Sequence, residues 1–472
     1  MRDNQSNFQI RILALSLSVL FSVVLVIGCK KQTANTETSS SVITDTEGTD
    51  TASTETASTS EQDVSATTTK QEESWLQKLK HLIKPEAEEQ DNKKPARFGN
   101  WGEQLATEFA QSFPDRYAGS DQEKLAADYL ADKLTKLGYE VERQEFSYEY
   151  DYENYASQNL VVTIPGIGFR AKELSIFAHN TKKIELPEDV NRRTIIVGAH
   201  YDTPKASALE GVDYIPDGIH NNAAGVASLM TFAKQALVNK PGYTVKLVFF
   251  GASNADYAGA NAFLNSMSEE EIALTDCMYN VDSIYAGDKV YMHSGWNSLS
   301  EDGTKKYDMR RKLYQITDLY YQYLLYTNNN FEVYTNQSLG SVDFYDDGGC
   351  EVYREWTKHS GDHTPFDKAN IPIVFCESYD YNPDIDQQNK ETQDPQFSEV
   401  NGYISGSGMD SSEMLNSYYA EQAVAQKSLL DEEDEEKEQN RIIERLENRI
   451  NNVAFLLLEA SRIYSEDSDL AE

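Results

Sequence analysis

Between Val141 and Phe375, short runs rich in β-branched and aromatic residues recur with segments of helical period between them. No other feature limits the fold as strongly. The runs are Val141 with Phe146, then Asn159 to Ile164, Thr194 to Val197, Thr244 to Phe250, Met278 to Val281, Lys289 to Met292, and Ile371 to Phe375; they read as strands. Ahead of them, Ser120 and Glu123 have capping-box spacing, and Leu130, Leu134 and Leu137 follow at helical intervals until Gly138 supplies a stop. Val226, Leu229, Ala233 and Leu237 form a second helical face. Strands alternating with helices predict an α/β fold, an open and mostly parallel central sheet with helices on both faces.

The first part of the chain has a different character. Arg2 and Arg11 precede an apolar run from Ile12 to Gly28, the pattern of a secretory signal, and the run ends in Val26-Ile27-Gly28-Cys29. That ending resembles a bacterial lipobox, which implies that Cys29 is lipidated and anchors the chain to a membrane outside the cytoplasm. An uncleaved transmembrane anchor is the alternative, and it needs about 20 apolar residues. Residues 1–28 are thus expected to be a signal peptide and 29–73, dominated by Ser, Thr, Ala, Glu and Asp, a disordered tether unable to repay the entropy of ordering. Residues 74–97 read as a charged linker with a short helix, 98–465 as the folded body, and 466–472 as a tail. The 78 Asp and Glu residues against 42 Lys and Arg give a net charge of −36, which argues against nucleic acid as a partner. Cys277, Cys350 and Cys376 are an odd number and too dispersed for a disulfide scaffold, leaving one bridge or free thiols open.

Open α/β sheets place their chemistry beyond the carboxyl ends of their strands. Those ends here read Ala199-His200-Tyr201-Asp202, Gly251-Ala252-Ser253-Asn254 and Asn280-Val281-Asp282, with Gly361-Asp362-His363 before the last strand. His200, Asp282 and His363 are therefore expected to converge. Two imidazoles and a carboxylate suit zinc, and Asp202 is placed to accept the second ring proton of His200.

FPDRYAGS from Phe113, IIVGAHYDTP from Ile195, PDGIHNNAAGVASL from Pro216 and SGDHTPFDKANIPIVF from Ser360 together resemble metallopeptidase family twenty-eight, the di-zinc exopeptidases of the bacterial leucyl aminopeptidase and glutamate carboxypeptidase type. The resemblance covers roughly residues 98 to 465. It implies a zinc-exopeptidase-like fold in which the histidine of an HxD motif, an Asp after a strand and a late His bind metal; these match His200, Asp282 and His363. It also implies a bridging Asp and a Glu-Glu pair, the first Glu a general base and the second a metal ligand. Asn221, Ser253 and Asn254 stand at those positions.

A neutral carboxamide bridges two divalent ions poorly, and an unassisted hydroxyl has no basicity near neutral pH. Zero or one zinc ion is therefore expected rather than two. The preferred reading is a surface-anchored pseudo-peptidase that binds a peptide or small ligand in the sheet-end cleft without cleaving it. The alternative is an active mononuclear zinc exopeptidase, with His220 substituting for a lost ligand and Asp256 or Asp217 as base. A pure adhesin or spacer is a third reading. The acidic segment 431–438 precedes a helix over 439–464 in which Ile443, Leu446, Ile450, Val453, Leu457 and Ala460 recur at spacings of three and four. That helix is expected to close the fold against its own sheet, a coiled-coil partner being the alternative.

Overall fold

The computed structural model describes residues 95–169, 173–177, 180–183, 186–206, 214–299, 306–327, 331–335, 337–342, 350–355, 360–381, 389–427 and 445–464. All belong to one compact unit, Gln77–Glu472. The expectations for the signal peptide, Cys29, the tether, nearly all of the linker and the acidic segment 431–438 lie outside the described residues. Among the described residues no helix is long and apolar enough to cross a membrane.

Eight strands form the central sheet: β1 Glu142–Tyr150, β2 Glu153–Ile164, β3 Thr194–His200, β4 Thr244–Phe250, β5 Thr275–Val281, β6 Lys289–His293, β7 Val333–Thr335 and β8 Ile373–Tyr379. Their order is β1-β2-β4-β3-β5-β8-β6-β7. The pairs β4–β3, β3–β5, β5–β8 and β6–β7 are parallel, while β1–β2, β2–β4 and β8–β6 are antiparallel. The mostly parallel α/β sheet expected from the sequence is thus present. Two further hairpins, Glu173–Phe177 with Asn180–Lys183 and Gln337–Val342 with Cys350–Glu355, stand outside it.

The helices are α1 Trp101–Ser112, α2 Asp121–Lys136, α3 Ala224–Ala236, α4 Ala258–Ser266, α5 Glu269–Leu274, α6 Tyr307–Gln322, α7 Thr364–Lys368, α8 Ser412–Lys427 and α9 Arg445–Arg462. Side chains alternate across a strand, so each central strand feeds two cores. Ile195 and Val197 of β3 pack with residues of α1, α2, α3, α6 and α9, whereas Ile196 joins Phe263 of α4 and Phe366 of α7 on the other face. Burial on both faces explains why the central strands read as continuous apolar runs.

Ser120 caps α2 by accepting the Glu123 N–H at 3.0 Å, but the reciprocal half of the capping box is absent. The Glu123 carboxylate instead accepts from Gly119 N at 2.7 Å, Ser157 Oγ at 2.8 Å and Ala252 N at 2.8 Å. Helix α9 buries Leu446, Ile450, Val453, Leu457 and Ala460 in the main core, the intramolecular packing expected of it. Its buried Arg449 donates to the carbonyls of Tyr285, at 2.9 Å, and Gly287, at 2.6 Å. Cys277 and Cys376 are buried free thiols.

Candidate functional site

Strand register assembles the crevice. Parallel pairing sets Gly198 of β3 against Asn280 of β5, which brings His200 level with Asp282, and sets Cys376 of β8 against Val281. His200 also pairs with Phe250, so the chain leaving β4 delivers Ser253 and Asn254 to the same end of the sheet.

A buried polar frame holds the loop from 217 to 222. Arg116 donates to the carbonyls of Tyr201 at 2.7 Å, Asp217 at 2.6 Å, Gly218 at 2.9 Å and Phe113 at 3.0 Å. Burial lowers its pKa to about 10, against the pull of Asp217, Asp410 and Asp202, so it stays charged. Asp410 accepts the N–H groups of His220 at 2.8 Å and Asn221 at 3.1 Å. Burial raises Asp410 to about 7, with His220 opposing. The Asn222 side chain donates to Val281 O at 2.8 Å and accepts from Ser283 N at 3.1 Å, fastening the loop to the end of β5. Gly218 has φ +63°, and a Cβ there would lie 2.4 Å from Thr203 Cγ2, so the turn requires glycine.

His200 and Asp282 meet as expected, with Nε2 3.3 Å from Asp282 Oδ1. The other ring nitrogen departs from expectation. Nδ1 lies 3.0 Å from the Asp202 carbonyl oxygen and 3.4 Å from its carboxylate, so the backbone supplies the closer partner. A carbonyl only accepts, so Nδ1 carries a proton. Burial opposes charge on this ring, but the carboxylates of Asp282 and Asp202 prevail and raise its pKa well above the usual histidine value. The Asp202 carboxylate is taken up elsewhere: it accepts from Ser253 N and Asn254 N, each at 3.0 Å, and from Asn254 Nδ2 at 2.9 Å.

Ser253 donates its hydroxyl to Asp362 Oδ2 at 2.8 Å. Burial raises Asp362 to about 7, the charge on His200 pulling it down and that of Asp202 pushing it up. His363, the next residue, is buried and stacks on Phe375 with ring centroids 4.5 Å apart. The structure thus gathers His200, Asp202, Asp282, Ser253, Asn254 and the Asp362-His363 turn. It does not add His220 to them. The His220 Nδ1 accepts from Ala286 N at 3.1 Å and Tyr285 N at 3.3 Å, and Nε2 faces Glu391 Oε1 at 3.6 Å, so both nitrogens are turned to other partners. Asp217 is likewise committed, accepting Ser412 N at 2.9 Å and Ile219 N at 3.2 Å, while Asp256 is exposed.

Tested against a two-zinc site, this donor set does not fit. Among the described residues no group of three or more His, Cys, Asp or Glu side chains is arranged to hold a metal ion. Asp202 is bonded to the segment after β4, Asp282 to His200, and Asn221 offers only a neutral carboxamide oxygen. That oxygen, Asp362 Oδ1 and both polar atoms of the Asn280 side chain are buried without hydrogen-bond partners among the described residues.

The sequence reading gave no site role to Arg116, Asn222, Asn280, Asp362 or Asp410, and gave Glu123 only a helix-capping one. Arg116 and Asp362 lie inside recognisable motifs, FPDRYAGS and SGDHTPF, which was the available signal. Glu123 is raised to about 7 by burial and by the Asp202 carboxylate, which places it electrostatically in the same cluster.

The model of peptidase family M28 matches residues 183–401. The alkaline phosphatase isozyme conversion protein of Escherichia coli K12 is 26% identical over 296 residues, 61% of this chain and 74% of that protein. Among solved structures, a zinc aminopeptidase from Bacillus subtilis superposes with a TM-score of 0.45 at 12% identity, covering 77% of this chain and 97% of its own. The glutaminyl cyclase of Fimbriiglobus ruber gives a TM-score of 0.45 at 14% identity, over 79% and 96%. By these comparisons residues 183–401 are similar to peptidase family M28.

Proposed function

We propose that this chain is a ligand-binding member of the M28 lineage, held outside the cytoplasm by lipidated Cys29, whose sheet-end crevice takes a peptide or small peptide-like ligand without hydrolysing it. One observation carries the reading: at the end of β4, Ser253 donates to Asp362 and Asn254 donates to Asp202. Side chains at the positions of a general base and a metal ligand are therefore spent as hydrogen-bond donors within the protein. Neither is a base near neutral pH, and removal of a general base alone typically costs about 10² to 10⁴ in rate. The family match supports descent from a peptidase and hence a crevice shaped for peptide groups. The unpartnered Asn221, Asn280 and Asp362 atoms supply hydrogen-bonding capacity for a polar ligand.

The competing reading, a mononuclear zinc exopeptidase, draws on the approach of His200 to Asp282 and the nearby His363. A panel of aminoacyl and peptide substrates, assayed with added zinc and with chelator, separates the two. The wild-type chain is expected to hydrolyse none of them faster than His200→Ala does. Hydrolysis that is inhibited by chelator and lost in His200→Ala would overturn the proposal and favour the enzyme.

A further inference from the structure

At the edge of the sheet formed by β7, a cavity of about 420 Å³ opens between that strand and the last turn of α6. Its volume is within the roughly 300–1,000 Å³ of small-ligand clefts. Four of the described residues that line it are tyrosines. Tyr320 is buried, but Tyr321, Tyr326 and Tyr334 are 63%, 50% and 37% exposed, which is costly for rings that serve only packing. The rings are inclined rather than coplanar: Tyr320 and Tyr326 have centroids 6.4 Å apart at 65°, and Tyr321 and Tyr326 are 6.0 Å apart at 44°. Inclined rings at this spacing can turn more than one π-face toward a single guest within the 6 Å or so over which an aromatic ring attracts a cation.

Among the described residues that line the cavity, the charged one is Glu332. The exposed Glu332 carboxylate is in its wall and accepts the Tyr334 hydroxyl at 2.6 Å, which orients the ring. Tyr320 and Tyr321 sit in the last turn of a 16-residue helix, where the backbone carbonyls concentrate partial negative charge. None of the described residues lining the cavity is a Lys or an Arg. Tyr334 already attracts a cation from the protein itself, Lys289 Nζ, 5.6 Å from its centroid and held by Asp380 at 2.7 Å.

We infer that this cavity binds an alkylammonium cation, with the tyrosine rings contacting the methyl or methylene groups and Glu332 with the α6 carboxyl end supplying the countercharge. The site is at the sheet edge and uses none of the crevice residues, so it stands or falls independently of the function proposed for the crevice.

Choline titrated calorimetrically into the full chain tests it. One saturable equivalent is expected, with the uncharged isostere 3,3-dimethylbutan-1-ol binding at least about tenfold more weakly. Tyr326→Ala and Glu332→Gln should each weaken choline about tenfold or more while leaving the thermal midpoint unchanged; both residues are exposed, so folding is not at stake. Competition by phosphatidylcholine vesicles assigns the cation to a lipid head, and lack of competition assigns it to a free ion. Absence of saturable choline binding, equal affinity for the neutral isostere, or indifference to both substitutions would overturn the inference.

Discussion

Arg116 is wholly buried and charged, and its guanidinium answers to four backbone carbonyls contributed by three separate segments. A planar fork of donors can span such a set, while a lysine ammonium cannot. Arg116→Ala is expected to destabilise the fold by roughly 3–5 kcal/mol, the scale for stripping one partner from a buried charged group, and Arg116→Lys to recover only part. Urea denaturation measures this, and a loss below about 1 kcal/mol would show that the frame does not depend on it. Glu123 makes a pH prediction. Its folded pKa, about 7, lies above the unfolded carboxyl value, so the native state holds the proton more tightly. The stability linked to that proton is complete below about pH 4 and is lost as pH rises through about 7. Asp362 and Asp410, also raised to about 7, act in the same direction. Glu123→Gln should therefore flatten, without abolishing, the decline in unfolding free energy between those pH values. An unchanged slope would contradict the assignment.

Helices α1, α3 and α9 cross at close range. A Cβ on Gly102 of α1 would come within 2.6 Å of Thr231 Oγ1 on α3 and 2.7 Å of Ile450 Cγ2 on α9. Gly102→Ala is expected to cost about 1–3 kcal/mol by overpacking, and to cost less in an Ile450→Ala background, which lacks the clashing Cγ2, as a double-mutant cycle would show. Additive effects would mean that the helices shift rather than clash. The elements also show what sequence patterns convey. Strands β3, β4 and β5 were legible because burial on both faces demands unbroken apolar runs. The first half of β2, Glu153 to Gln158, was missed because it pairs with edge strand β1 and stays largely polar and exposed. Strand β7, three residues long, is too short to carry a period.

Across the whole molecule, the constellation at the strand ends was readable, since register alone carries His200 to Asp282. Its supporting frame was not. Asp410 bonds to Asn221 across 189 residues and Glu123 to Ala252 across 129, and a buried polar group whose partner is a distant backbone atom leaves no local pattern. The same physics hides the surroundings of His220, whose Nδ1 accepts from Ala286 N and whose Nε2 faces Glu391 Oε1 at 3.6 Å, both on segments far along the chain. On the segment after β4, Ser253 N and Asn254 N hold the Asp202 carboxylate. The central proposal is that Asp202, Ser253 and Asn254 are engaged in hydrogen bonds within the protein and that the crevice holds no zinc. Elemental mass spectrometry of the purified full chain, loaded with zinc and freed of loosely held ions, tests that claim most directly. The account predicts far less than one zinc per chain, with no difference between wild type and His200→Ala; one or two tightly held ions that disappear in His200→Ala would contradict it.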